Sequence, residues 1–266
     1  MKLLDIHALS WTNSFPSYTA GTPPSPAILA LILLTELRYE SFTPNPIRLP
    51  FLPRYPFPTS LEKRQFFYLE FNQYLIHLAL FILLQSLPQI LPVKALGVLF
   101  TIWLIWTTIQ LLVRYPTSPP LFGPLYLIES LATFWTGTWH NVFASPCYSL
   151  AYTPTFFVLT KLRAPPWISR PAAVVAAFAF MAAFHMYALE PLLTREGIRR
   201  IGWFFVGNGI LTVAETGVWG RKRHWVRALM AWIAELSLAS WTVAAADLPD
   251  GALKANWRGL CEWKRD

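Results

Sequence analysis

The sequence predicts an all-α integral membrane protein, a polytopic bundle of about five to seven transmembrane helices with one amphipathic helix at the membrane interface. Of its 266 residues, 55% are hydrophobic and only 14% are charged, whereas a soluble domain carries about 25% charged residues. Long apolar stretches follow one another along the chain, and crossing the hydrocarbon takes roughly 20 such residues. Tryptophans lie mostly toward the ends of these stretches, as in an interfacial aromatic belt.

The N-terminal region, residues 1–64, contains one short apolar run and a basic loop. The run Ala27–Leu34 is shorter than a full span. Residues 38–64 are rich in proline and carry five Lys or Arg, so we predict a loop there. The main helical domain is expected to occupy residues 65–266.

Apolar stretches in residues 65–266 predict the spans, and prolines mark the end of the first one. They are Gln65–Leu87, Lys94–Leu112, Pro171–Leu189, Ile201–Trp219 and Trp225–Ala246. The tryptophans assigned to the interfacial belt are Trp103, Trp106, Trp203, Trp219, Trp225 and Trp241.

The formal net charge of +8 is interpreted as contact with the membrane surface. The basic residues occur in short clusters between apolar stretches, which is typical of loops beside lipid headgroups. No basic stripe alternates with polar recognition residues, so we expect no nucleic-acid partner. The positive-inside rule places loops 38–64, 114–170 and 220–227 in the cytosol.

A different kind of segment, Leu125–His140, lies between the second and third spans. Leu127, Leu131, Trp135 and Trp139 recur every four residues there. This spacing predicts one amphipathic helix along the interface or in the mouth of the bundle.

Several classes of chemistry are not indicated. The sequence has no phosphate-binding glycine loop, no His-Glu-x-x-His helix and no Gly-x-Ser-x-Gly elbow. Aspartate is scarce and lies outside the spans, and Cys147 and Cys261 have no metal-ligand spacing. We therefore expect no metal and no bound cofactor.

His185 is the first candidate for chemistry because it lies within a predicted span, where an ionisable side chain is costly. Desolvation favours the neutral imidazole, which can accept a proton as a general base. The alternative is a core histidine bonded to a neighbouring helix. His77 also lies within a span, and we interpret it as structural because nothing beside it suggests chemistry.

His140 and Asn141 form the second candidate, at the end of the amphipathic segment. Such groups could orient a thioester or donate to a developing oxyanion. The alternative is a polar cap that ends a surface helix.

The spacing of these residues carries a resemblance. Ser130-Leu131, Phe134-Trp135 and Trp139-His140 spell Ser-Leu-x-x-Phe-Trp-x-x-x-Trp-His; residues 130–140 are called the signature segment below. The segment resembles that of the wax synthase family, relatives of the membrane-bound O-acyltransferases, of the type that acetylates fungal secondary metabolites. In that family a membrane-embedded histidine follows about 45 residues later, which corresponds here to Phe178–His185. Family members often have Glu directly after this histidine, where this chain has Met186.

The resemblance implies transfer of an acyl group from acyl-CoA, as cosubstrate, to the hydroxyl of a lipophilic alcohol in the endoplasmic reticulum membrane. The alcohol would be a terpenoid, a meroterpenoid or a fatty alcohol. It further implies that His185 takes the hydroxyl proton and that His140 and Asn141 position the thioester. Phe134, Trp135 and Trp139 are then expected to bind substrate. Small residues beside His185 favour an acetyl donor with a bulky acceptor, although they also serve helix packing.

Two other classes of function stay open. Glu215 and Glu235 lie within predicted spans, and protonated acids there could serve a membrane terpene cyclase. The simpler interpretation pairs them with Arg or Lys at helix ends, or with Asn208 across the bundle. A transporter or scaffold is less favoured, because few polar residues lie in the spans and no inverted repeat is visible.

Overall fold

The computed structural model describes residues 2–11, 17–18, 22–35, 42–43, 63–113, 121–139, 142–220, 222 and 224–246. In these ranges the chain is helical except for two short strands, β1 (Ser17–Tyr18) and β2 (Phe42–Thr43). The strands pair antiparallel, with Ser17 opposite Thr43.

The helices in these ranges comprise short ones around the N-terminus and the signature segment, and five long ones. They are α1 (Lys2–Trp11), α2 (Pro26–Thr35), α3 (Lys63–Ser86), α4 (Leu91–Val113), α5 (Leu131–Thr133), α6 (Ala144–Cys147), α7 (Thr153–Lys161), α8 (Pro166–Leu189), α9 (Arg195–Trp219) and α10 (Trp225–Val243). A 3-10 turn covers Leu125–Leu127, and π-helical turns cover Phe134–Thr138 and Tyr148–Tyr152.

Each predicted span is a single helix, which confirms the all-α polytopic fold. Among the residues described, the helical stretches long and apolar enough to cross a membrane are Leu91–Leu112, Pro166–Leu189 and Arg195–Trp219. The third predicted span begins five residues earlier than expected. Pro165 is extended and Pro166 opens α8, where proline is tolerated because the first N–H of a helix has no intrahelical acceptor. The chain is thus an integral membrane protein.

The long helices pack as one bundle in which α8 against α9 is the most extensive pair, and α10 covers both α4 and α9. Two glycines of α9 allow its close approach to α8. A Cβ on Gly209 would lie 2.7 Å from Cβ of Phe178, and one on Gly202 would lie 2.6 Å from Sδ of Met186. Small residues of this kind let backbones approach in membranes.

The main hydrophobic core lies where residues 121–134 pack on α3 and α4. It consists of Phe100, Trp103, Leu104, Phe122, Leu125, Ile128 and Phe134. The assignment of Trp103 to an interfacial belt is wrong, because this side chain is only 2% exposed. Its indole N–H donates to the carbonyl of Gly123 at 3.1 Å, which gives the polar atom a partner inside the core. Trp106, Trp203, Trp225 and Trp241 are exposed on the bundle surface.

The predicted single helix over Leu125–His140 is wrong for the part that the structure describes, residues 125–139. The 3-10 turn ends at Leu127, and Ser130 is extended, with φ −169° and ψ 160°. Its hydroxyl accepts the N–H of Thr133 at 3.0 Å and so begins a new helix. The apolar stripe is interrupted as well, since Leu127 is exposed while Leu131 is buried.

The N-terminal helix α1 docks on the segment that precedes α7. Asp5 is buried and accepts the hydroxyls of Ser145 at 2.9 Å and Ser149 at 2.6 Å. The apolar run Ala27–Leu34 lies within the ten-residue helix α2. Most of the predicted loop 38–64 lies outside the described residues.

Candidate active site

His185 lies one turn before the end of α8 and presents one ring nitrogen to its own helix. Its Nδ1 lies 2.9 Å from the carbonyl oxygen of Met181. Because a carbonyl oxygen only accepts, Nδ1 carries the proton in this contact. In the neutral ring Nε2 is then the nitrogen with the free lone pair, and no residue in the described ranges hydrogen-bonds it. A histidine in this tautomer can accept a proton at Nε2.

Aromatic side chains hold the imidazole ring in a fixed plane. The ring stacks on Phe205 of α9 with a centroid distance of 4.2 Å. Phe184 contacts it edge-on at 5.3 Å, and Phe143 lies at 6.3 Å in the same manner. His185 is half-buried, so its surroundings are apolar without enclosing it fully.

Trp135 brings the signature segment to the same place. Its indole N–H donates to Oδ1 of Asn208 at 3.2 Å. Its ring contacts Phe178 at 5.4 Å and Phe205 at 5.8 Å. Trp135 and His185, 50 residues apart in the chain, therefore share Phe205 as a neighbour.

Phe134 and Trp139 lie on the core side of the segment. Phe134 is 1% exposed and stacks with Trp139 at 5.6 Å. Trp139 also contacts Phe122 edge-on at 5.2 Å. Phe134 is therefore enclosed by protein side chains, whereas Trp135 and Trp139 are half-buried and keep some exposed surface.

His140 and Asn141 lie outside the described residues. The chain is described again from Val142, which is buried. The next residue, Phe143, is the one whose ring lies 6.3 Å from that of His185. The predicted role of His140 and Asn141 therefore stays a prediction.

Met186 stands where the resembled family often has a glutamate. Its Sδ lies 2.6 Å from where a Cβ on Gly202 would be, so the side chain packs closely against α9. The nearest acid in sequence, Glu190, is exposed just beyond α8. At this position the chain has an apolar interhelical contact in place of a carboxylate.

Glu215 is bound at the junction of three segments. Its Oε1 accepts the N–H of Leu131 at 2.9 Å, and its Oε2 accepts the N–H of Ala132 at 3.2 Å. Arg227 donates to the same Oε2 at 3.0 Å. A carboxylate that accepts three hydrogen bonds within an ion pair is unsuited to donate the proton that a cyclase needs. For Glu215 the structure supports the simpler of the two sequence interpretations.

Glu235 lies farther along α10 and is also buried, with 4% exposed surface. It lies beside Asn208, the residue that accepts from Trp135 and whose amide donates to the carbonyl of Phe204. Its Oε2 has no hydrogen-bond partner among the described residues. Sequence reasoning named Asn208 as a partner for the acids, and missed that it also binds Trp135. The sequence signal that could have indicated this contact is the seven-residue spacing of Asn208 and Glu215. It places both side chains on one face of α9, the face that binds the signature segment.

The Cys147 thiol is poorly suited to act as a nucleophile. Burial raises its pKa to about 12, and the negative charge of Asp5 adds to the shift. Because the thiolate is the reactive form, little of it is available near neutral pH. We therefore assign no covalent role to Cys147.

Comparison with known families points to the same part of the chain. Residues 118–207 match the family described as membrane bound O-acyl transferase. The match supports an O-acyltransferase. It covers about one third of the chain, contains the signature segment and His185, and ends before Glu215 and Arg227. No curated protein and no solved structure matches the chain significantly.

Proposed function

We propose that this protein transfers an acyl group from acyl-CoA to the hydroxyl of a lipophilic alcohol, with His185 as the general base. The observation that carries the proposal is the tautomer of His185, whose Nδ1–H is held by the carbonyl of Met181. That contact leaves Nε2 to accept a proton, in the stretch of chain that matches the acyltransferase family.

The proposed step is direct transfer between the two substrates. The alcohol oxygen attacks the thioester carbonyl while its proton passes to Nε2 of His185. The tetrahedral intermediate collapses, the C–S bond breaks and the thiolate of CoA leaves. The imidazolium then returns the proton to the thiolate, so that the products are an ester and free CoA. Holding both substrates side by side supplies much of the rate.

The signature segment is proposed to bind the substrates. Trp135 and Trp139 are half-buried beside the core and suit an apolar chain or ring, and Phe134 supports Trp139 from beneath. His140 and Asn141 are proposed to position the thioester carbonyl or to donate to the oxyanion. Phe143, which follows them closely, lies near His185.

An acetyl donor with a bulky acceptor, such as a terpenoid or meroterpenoid of secondary metabolism, is proposed ahead of a long-chain donor. Ala182, nearly one turn ahead of His185, lies on the same face of α8. The absence of a large side chain at this position would leave room for a wide acceptor. The endoplasmic reticulum is proposed as the location.

Ester formation in proteoliposomes tests the proposal. Purified protein is supplied with acyl-labelled acetyl-CoA or palmitoyl-CoA and a panel of terpenoid, sterol and fatty alcohols. We expect labelled ester and an equal amount of free CoA, and neither product from His185→Ala inserted at the same level. Full activity in His185→Ala would contradict the assignment of the base. Conversion of an alkene or epoxide without CoA would point instead to the cyclase alternative through Glu235.

A further inference from the structure

We propose that Glu215, held by Arg227, is a positioning residue that fixes the start of the signature segment relative to His185. The inference rests on the proposed function and adds to it residues that lie beyond the stretch matched to the family. Neither side chain reaches the reacting atoms in this account, since both act through the backbone of residues 131–132.

The start of the segment presents backbone N–H groups that need acceptors. The first N–H groups of a helix have no acceptor within the helix. Here the N–H groups of the first three helical residues each have a defined partner. Leu131 and Ala132 donate to the two carboxylate oxygens of Glu215, and Thr133 donates to the hydroxyl of Ser130. The N–H of Phe134 then makes the first helical bond, to the carbonyl of Ser130. Two of the three N–H groups are thus bound by a helix more than 80 residues away.

The Glu215 carboxylate is itself held in place by an ion pair. Its ion pair with Arg227 is 3.0 Å long, and the two side chains are 9% and 7% exposed. Arg227 also donates to the carbonyls of Gly220 at 3.2 Å and Lys222 at 3.1 Å. The guanidinium therefore ties the turn between α9 and α10 to the carboxylate, and the carboxylate cannot rotate away without losing its bonds to Arg227, Leu131 and Ala132.

Helix α9 contacts both halves of the site, the signature segment and His185. Glu215 binds residues 131–132, and Asn208, two turns earlier on α9, binds the indole of Trp135. Phe205, one turn earlier again, stacks on His185. If Glu215 releases residues 131–132, the start of the segment loses its hydrogen bonds to the helix that also holds Trp135 and the base.

The decisive variant tests whether Glu215 anchors the signature segment or only forms an ion pair with Arg227. Replacing both partners, as in Glu215→Leu with Arg227→Met, removes two buried charges together, which bundles often tolerate because no charge is left unpaired. It also removes the acceptors of Leu131 and Ala132. The matched control is Glu196→Gln, on the same helix. Glu196 pairs with Arg199 at 2.7 Å and Arg200 at 2.8 Å, and in the described ranges it forms no hydrogen bond or ion pair with the segment.

Three measurements are made in proteoliposomes: steady-state kinetics, which give kcat and the KM for the acyl donor, the thermal midpoint, and hydrogen–deuterium exchange of the peptide that contains residues 131 and 132. We expect a near-native midpoint, faster exchange in that peptide and a kcat lower by up to about 10²-fold, the size of effect that a 1 Å misplacement can produce. The donor KM should change by less than about twofold. Glu196→Gln should match the wild type in all three.

Glu215→Gln keeps one acceptor oxygen and should give an intermediate exchange rate and kcat; it decides the matter if the double variant does not insert. Native exchange and native kcat in either variant, with the wild type active, would overturn the inference. A wild type that forms no ester with any substrate pair, while the variants still exchange faster at residues 131–132, would refute the proposed function and leave the anchor standing.

Discussion

His77 and His185 share a hydrogen bond at Nδ1 and differ in the contacts of Nε2. Each lies on a long apolar helix, and each directs Nδ1 at the carbonyl four residues earlier, at 2.7 Å for His77 and 2.9 Å for His185. The second nitrogen distinguishes them. Nε2 of His77 accepts the N–H of Leu125 at 3.2 Å, whereas Nε2 of His185 has no such partner in the described ranges.

The two rings also differ in how completely the protein encloses them. His77 has no exposed surface and stacks face to face on Trp103, with 3.7 Å between centroids and 4° between planes. His185 is half-buried and stacks on Phe205. Both the number of engaged ring nitrogens and the burial of the ring distinguish a structural histidine from one that can take a proton.

The largest expected effect comes from His185→Gln. Glutamine keeps much of the volume and can still hydrogen-bond, but it cannot serve as a proton acceptor. We expect kcat to fall by about 10²–10⁴-fold, the usual contribution of a general base, with little change in donor KM. Single-turnover kinetics in proteoliposomes measures both. A loss that appears only in KM would mean that His185 binds substrate without taking its proton.

His77→Ala should act on stability instead. It removes a fully buried ring and leaves the N–H of Leu125 without its acceptor, which together should cost about 3 kcal/mol or more. The thermal midpoint in detergent should drop accordingly. An unchanged midpoint would show that the buried contact between α3 and residue 125 contributes little.

The glycines of α9 provide a graded test of how closely α8, which carries His185, must approach Phe205. Gly209→Ala drives a Cβ into the Cβ of Phe178, an atom that cannot swing aside, whereas Gly202→Ala meets the flexible end of Met186. We expect Gly209→Ala to cost about 1–3 kcal/mol and to lower activity, and Gly202→Ala to cost less. Gly217→Ala, with nothing within 4 Å, is the control. Equal effects at residues 202 and 209 would contradict this packing.

The smallest effect is expected at Cys147. With a pKa of about 12, only about 10⁻⁴ of the thiol is ionised at pH 8. In a Cys261→Ala background, maleimide labelling of Cys147 at pH 8 should be far slower than that of a free thiol, and Cys147→Ala should retain transfer. Rapid labelling together with loss of transfer would reopen covalent catalysis.

Hydropathy was sufficient for the long helices, because twenty apolar residues in succession have few alternatives in a membrane chain. The signature spacing and the costly position of His185 were also readable from the sequence, and they drew attention to the stretch that matches the acyltransferase family. Helix positions and motif spacing can be predicted because they depend on residues that are close together in the sequence.

What the sequence did not reveal depends on contacts between distant residues. The break at Ser130 is stabilised in part by Glu215, which no periodicity in residues 125–140 could indicate. Trp103 looks like a belt residue until Gly123 and His77 are seen to enclose it. The tautomer of His185 likewise needs the geometry of one carbonyl, that of Met181.

The most direct measurement compares His185→Ala with His77→Ala in one assay: the initial rate of alcohol-dependent CoA release, normalised to folded protein inserted in the same vesicles. The account predicts that release disappears for His185→Ala and persists for the surviving fraction of His77→Ala. Equal activity of the two variants per folded molecule would contradict the account, since the free Nε2 of His185 would then have no part in acyl transfer.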